Sequence, residues 1–256
     1  MQYVFIKNIK KLLTEGIKRE DGEHRDLQYI ISTHSACIVA DSDFDGIKYL
    51  KRENGSGVIA KNLKDLKHEY TVETKQYQFL KQYLTISRAE IFFADKAILI
   101  EGDTERILIP TLMRKVDKEE ENKYAASGEQ DKHLPLLSQN ISVIEVGAYS
   151  QIFERFIDFL GVKALVITDL DAVDGDGEKC EVAAGVGYSN EAIKFFFNSP
   201  SLNDLKGFTF SSKLFNKAGS IWKNQADGKL SIVYQTEENG YNARSSQHAF
   251  IPVNKD

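Results

Sequence analysis

Two short acidic clusters carry the chemistry this sequence offers. Glu101-Gly102-Asp103-Thr104-Glu105 comes first, and Asp169-Leu170-Asp171 follows well downstream. Each comes directly after an apolar run, Lys96 to Ile100 (KAILI) and Lys163 to Thr168 (KALVIT). Carboxylates that converge repel one another unless cations neutralise them. Hard oxygen donors with no sulfur favour Mg²⁺ or Mn²⁺ over zinc. Such ions can polarise a water and stabilise a leaving oxygen. Acids after strands also serve as helix N-caps, and either cluster alone could be read that way. Two clusters of the same kind favour the cation.

The elements around them must bring the clusters together. KAILI reads as a strand, Glu101 to Lys115 as a turn and helix with Ile107, Leu108, Leu112 and Met113 on one face, and Ile141 to Val146 as a second strand. Tyr149 to Leu160 is an amphipathic helix, and Lys163 to Thr168 a buried third strand. Strand, helix, strand, helix, strand implies an α/β fold with parallel strands and crossover helices. In such a sheet a site lies beyond the carboxyl ends of the strands, so both clusters should reach one edge. Gly102 is expected to let the chain turn sharply, with Glu105 one helical turn beyond Glu101. The charged stretch Asp117 to Gln130 reads as a surface loop or frayed helix, and Asp174 to Gly187 as a flexible loop. A short helix at Asn190 to Phe197 and a strand at Lys229 to Gln235 follow. Upstream, the spacing predicts an amphipathic helix over residues 1–13, an apolar β-type run at Leu27 to Ile31, a small hairpin (Gly46 to Leu50, Gly57 to Lys61) and a polar helical segment from Lys61 to Ile86.

KAILIEGDTER followed by KALVITDLD resembles a Toprim domain, the Rossmann-like metal-binding fold of topoisomerases, primases and certain nucleases. The EGxTE form, the upstream sequence and the tail together are similar to the overcoming-lysogenisation-defect (OLD) family of ATP-dependent endonucleases, a group that includes the nuclease subunit of the Gabija phage-defence system. The resemblance implies Glu101, Asp169 and Asp171 as metal ligands and catalytic residues, with Glu105 as ligand or base-positioner; Asp103, Asp174 and Asp176 are secondary candidates. In that family an ABC-type ATPase precedes the Toprim domain. LQYIISTHS (Leu27 to Ser35) resembles the ATPase's last strand and switch loop, which makes His34 the match to its γ-phosphate-sensing histidine. No G-x-x-x-x-G-K-[ST] phosphate loop is present, so ATP is expected to act only in the full-length family context, with His34 vestigial. The resemblance thus divides the chain into residues 1–86, the C-terminal fragment of an ATPase, and 87–256, a Toprim nuclease domain shortened at its C-terminus. In the tail, YNARSSQHAFI aligns Gln247 with a family glutamate that completes the metal site. An amide there is a weaker ligand and cannot act as a base.

DNA is the implied substrate, with homo-oligomers expected of the full-length family and a helicase-like or defence protein as a further implied partner. A non-catalytic remnant of the same family is the alternative, and a primase-like phosphotransfer enzyme a second. Composition narrows the field from the other side. The 256 residues hold 33 bases and 38 acids for a net charge of −5, which excludes a generally basic DNA coat. Phosphate contacts must then come from local charge, with Arg106, Arg114, Lys115, Lys206, Lys213, Lys217 and Lys223 as candidates. Two cysteines exclude a cysteine-rich zinc site. The apolar runs are too short to span a bilayer, and the reading is cytoplasmic.

Overall fold

The structure, a computed structural model, describes residues 8, 9, 11, 28–52, 57–71, 74–129, 134–219, 221–238 and 241–242. The expected first helix and the tail with Gln247 lie largely or wholly outside these residues. The chain divides into two compact units between Phe93 and Ala94. Among the described residues no helix is long and apolar enough to cross a membrane.

The first unit holds helix α1 (Ala36–Ala40), an antiparallel hairpin of β1 (Lys48–Arg52) and β2 (Val58–Asn62), and helix α2 (Thr74–Ser87). The hairpin falls where turn residues between two alternating runs put it. The polar segment after it is two pieces, a 3-10 stretch at Leu63–Tyr70 and then α2. Phe44, Leu63, Leu66, Tyr70, Leu80, Leu84 and Ile91 are the buried residues that the two pieces share with their neighbours. Asp45 ties the unit together by accepting from the Tyr77 hydroxyl (3.0 Å) and the Lys81 ammonium (3.0 Å). The expected β-type run at Leu27 to Ile31 forms no strand over Gln28 to Ile31, where Ile30 is 91% exposed. Apolar content signals a strand only where a sheet is at hand to pair with it.

The second unit is built on a six-stranded sheet in the order β4-β3-β5-β10-β8-β9. Its strands are β3 (Lys96–Ile100), β4 (Ile141–Glu145), β5 (Lys163–Ile167), β8 (Leu214–Ala218), β9 (Ile221–Asn224) and β10 (Leu230–Val233). The β4-β3, β3-β5 and β5-β10 pairs are parallel, while β10-β8 and β8-β9 are antiparallel. This mixed α/β sheet, mostly parallel and flanked by helices, is the architecture of a Toprim domain. Helix α3 (Asp103–Ser127) packs Ile109 and Met113 against Ile98 and Ile100. Helices α4 (Glu154–Leu160) and α5 (Glu191–Phe197) contribute the buried Phe156, Ile157, Leu160, Ala192, Ile193 and Phe196. Helix α6 (Leu202–Gly207) adds Leu202 and Leu205 to a cluster with Leu170, Ala172, Val182, Ile193 and Tyr234.

Three features differ from the sequence expectations. Helix α3 runs on for 25 residues through Asp117 to Ser127, because low apolar content reports exposure rather than loss of helicity. Glu120 and Lys123 pair along it at 2.7 Å, and the Asp117 carboxylate receives the Leu136 and Leu137 amides. The Asp174 to Gly187 segment is closed at its base by a short antiparallel ladder, β6 (Ala172–Val173) with β7 (Gly187–Tyr188), and by a bridge from Val173 to Lys179. Helix α6 and strands β8 and β9 were not anticipated within the polar stretch before Lys229, being short and mixed in character.

Candidate active site at the carboxyl edge of the sheet

Register decides which side chains meet. Leu99 pairs with Val166 across β3 and β5, and Ile167 with Val233 across β5 and β10. Two residues beyond Leu99 is Glu101, which therefore stands beside Thr168; Gln235 in turn stands beside Asp169. The hydrogen bonds follow that placement. The Thr168 hydroxyl donates to Glu101 Oε1, and the Asp169 amide donates to the same oxygen at 3.0 Å. The Leu170 amide donates to Gln235 Oε1 at 3.0 Å. Leu170 is fully buried, so it anchors the Asp169-Leu170-Asp171 turn in the core and leaves an acid on either side at the rim.

Asn190 locks the arrangement from α5. Its side-chain oxygen caps the helix by accepting from the Ile193 amide (2.9 Å). Its amide nitrogen donates to Thr168 Oγ1 and the Asp169 carbonyl, both at 2.8 Å, with Glu101 Oε1 at 3.5 Å. Asn190 and Thr168 are nearly solvent-free. Neither stood out in the sequence, although Asn before a Glu-led amphipathic helix is an N-cap signal. Gln235, buried two residues past β10, was likewise missed, as was Lys179, whose ammonium reaches Asp171 Oδ1 at 2.7 Å.

The electrostatics are those of crowded acids. Burial pushes the Glu101 carboxyl above its ordinary value; the donors from Thr168 and Asp169 offset part of this, and the Asp169 and Asp171 charges add to it. Lys179 is held more firmly protonated by its bond to Asp171, with further attraction from Asp169 and Glu101. Asp171 sits at φ 52°, a left-handed conformation that Asp and Asn tolerate better than other side chains. Its carbonyl accepts from the Ser189 amide (3.0 Å) and hydroxyl (3.3 Å).

The remaining sequence candidates fall into place around this corner. Glu105 is buried and accepts the Gly102 amide at 3.1 Å, capping α3. Gly102 itself is extended (φ −155°), so the turn does not demand a glycine's freedom. Asp103 is exposed at the start of α3, 3.9 Å from Arg106. Asp174 receives the Asp176 and Glu178 amides, each at 3.0 Å, and so shapes its own loop. Of the proposed phosphate-binding lysines, Lys213 is buried over the Tyr234 ring at 4.1 Å, and Lys217 pairs with the buried Glu154 at 3.1 Å. Both point inward. His34 belongs to the first unit, exposed, with its ring edge-on to Phe93 at 6.4 Å. Gln247 lies outside the described residues.

The donor set at this corner is all oxygen, crowded and short of positive charge, which suits a hard divalent cation. Among the described residues, however, no three His, Cys, Asp or Glu side chains are grouped to hold an ion as they stand. The contacts give the reason: Glu101 is turned to Thr168 and the Asp169 amide, and Asp171 to Lys179.

Comparison with known proteins bears on the same stretch. Residues 92–171, from the approach to β3 through both acidic clusters, match the family model for the overcoming lysogenization defect protein-like TOPRIM domain. The chain is also 28% identical over 273 aligned residues to Endonuclease GajA of Bacillus cereus (strain HuB5-5). That alignment takes in 99% of this chain and 35% of the relative. The chain therefore spans about a third of the length of the endonuclease it matches.

Proposed function

For a chain that carries an OLD-like Toprim domain, we propose a role as the metal-dependent DNA endonuclease module of an ATP-dependent endonuclease, hydrolysing or nicking phosphodiesters. The observation that carries the proposal is the meeting of Glu101 with the Thr168-Asp169-Leu170-Asp171 turn at the carboxyl edge of parallel strands, within the segment that matches the family. Glu101, Asp169 and Asp171 would hold the cation, Mg²⁺ or Mn²⁺. Bound there, it would neutralise the carboxylates and supply the electrophilic assistance that phosphate cleavage needs.

The chain's own residues account for the rest. Thr168 and Asn190 hold Glu101 against β5 and keep water from its inner oxygen. Leu170 and Gln235 fix the spacing of the two aspartates. Glu105 acts through the Gly102 amide to set the corner from which Glu101 projects. The relative's name, endonuclease, supports DNA as the substrate. The first unit is read as the end of an ABC-type ATPase, with ATP dependence, oligomerisation, a cytoplasmic location and phage defence belonging to the longer protein.

Supercoiled plasmid incubated with the purified chain and Mg²⁺, Mn²⁺ or EDTA tests this. Metal-dependent nicking should appear and be lost in Asp169→Asn. Outer-shell partners of metal sites alone are worth roughly 10–100-fold in affinity or activity, so a ligand should cost more. Unchanged cleavage by Asp169→Asn would sink the assignment. Cleavage that appears only with Gln247→Glu would locate the defect in the tail, and silence from every variant would favour the non-catalytic remnant.

A further inference from the structure

Lys179 reaches the acidic corner by construction. Asp174 draws the chain into a tight loop by accepting the Asp176 and Glu178 amides, and its own amide donates to the Glu178 carbonyl. The Val173–Lys179 bridge and the Cys180 amide on the Ala172 carbonyl then bring the returning strand back beside the aspartates. The Lys179 ammonium ends 2.7 Å from Asp171 Oδ1, with the Asp169 and Glu101 charges acting on it from further off. Its side chain is 62% exposed against 21% for Asp171, so the lysine can swing into solvent while the aspartate stays.

We infer that Lys179 is the built-in counter-ion of the acidic site, and that a divalent cation must displace it from Asp171 to bind. The inference rests on the metal reading of Glu101, Asp169 and Asp171 given above. It explains why those acids are close enough to repel yet are not grouped around one point: the lysine holds Asp171 outward, and Thr168 with the Asp169 amide holds Glu101 inward. Lys179 is thus a positioning residue that sets the affinity of the site and protects the metal-free protein from its own repulsion.

The test is Mn²⁺ binding by calorimetry on the full chain, together with melting in EDTA, for the wild type, Lys179→Met, Lys179→Arg and Lys194→Met. The last removes an equal charge from an ion pair with Glu191, on α5. Exposed pairs contribute ~0.2–1 kcal/mol, so Lys179→Met should tighten Mn²⁺ by roughly 1.4- to fivefold and melt lower in EDTA. Lys179→Arg should bind and melt as the wild type, and Lys194→Met should leave Mn²⁺ affinity alone. Equal Mn²⁺ affinity in the wild type and Lys179→Met, or weaker binding in Lys179→Met, overturns the inference while leaving the metal site standing. Absence of Mn²⁺ binding in every protein overturns the metal reading itself, and the displacement with it.

Discussion

The acids of the site were visible as letters, and their supports were not. Glu101, Asp169 and Asp171 stand out because carboxylates at strand ends are costly without a partner. Thr168, Asn190 and Gln235 are neutral and read as ordinary caps or strand ends until register places them beside the acids. Their importance can be measured. Asn190→Ala would remove the Asn190 hydrogen bonds to the Ile193 amide, the Thr168 hydroxyl oxygen and the Asp169 carbonyl, a loss of about 1–3 kcal/mol in urea unfolding at a buried site. Glu101→Gln keeps the acceptor oxygen and removes a charge that burial opposes. Because the folded state raises the carboxyl's pKa, its ionised form is the disfavoured one, and the variant should melt higher than the wild type in chelator at neutral pH. Each 1 kcal/mol is worth about 2–4 °C in a chain of this size.

At the scale of elements, apolar runs gave away β3, β4 and β5, two of them followed by acids, and their parallel order followed from the helices between them. Strands β8 and β9 and helix α6 escaped, since a four- to six-residue element with at most two buried side chains leaves little periodicity to read. Gly228, in the turn before β10, shows how tightly those hidden strands are joined to the sheet. A Cβ there would fall 2.4 Å from the Phe215 amide nitrogen and 2.8 Å from its carbonyl oxygen. No backbone can yield that much without β8 leaving β10. Gly228→Ala should therefore cost about 1–3 kcal/mol or more, read as a lower urea midpoint. It should also loosen Gln235, two residues past β10, and through it the Leu170 amide.

For the whole molecule, charge and separate cores matter most. With a net charge of −5, the DNA affinity that the proposed function requires must depend on a local patch, and its logarithm should fall linearly with the logarithm of salt concentration. The inward turn of Lys213 and Lys217 predicts that Lys217→Ala lowers stability, by taking one of its cations from the buried Glu154, without changing that slope. In the first unit, the Lys81 ammonium and Tyr77 hydroxyl beside Asp45 hold its carboxyl below the usual range despite some opposing burial. A depressed carboxyl stabilises above the unfolded value near 4 and loses that contribution as pH falls through the folded value. Asp45→Asn should thus melt slightly lower than the wild type at pH 7, and the two curves should converge in acid. The acidic corner itself is closed by hydrogen bonds between residues 65 to 89 positions apart in sequence. β10, almost the last strand of the chain, pairs with β5 in the middle of the sheet. A ribosome must release the chain as far as Gln235 before that corner can be complete. The Leu170 amide must therefore wait for Gln235 during synthesis, and the corner takes its final form only once β10 slots in.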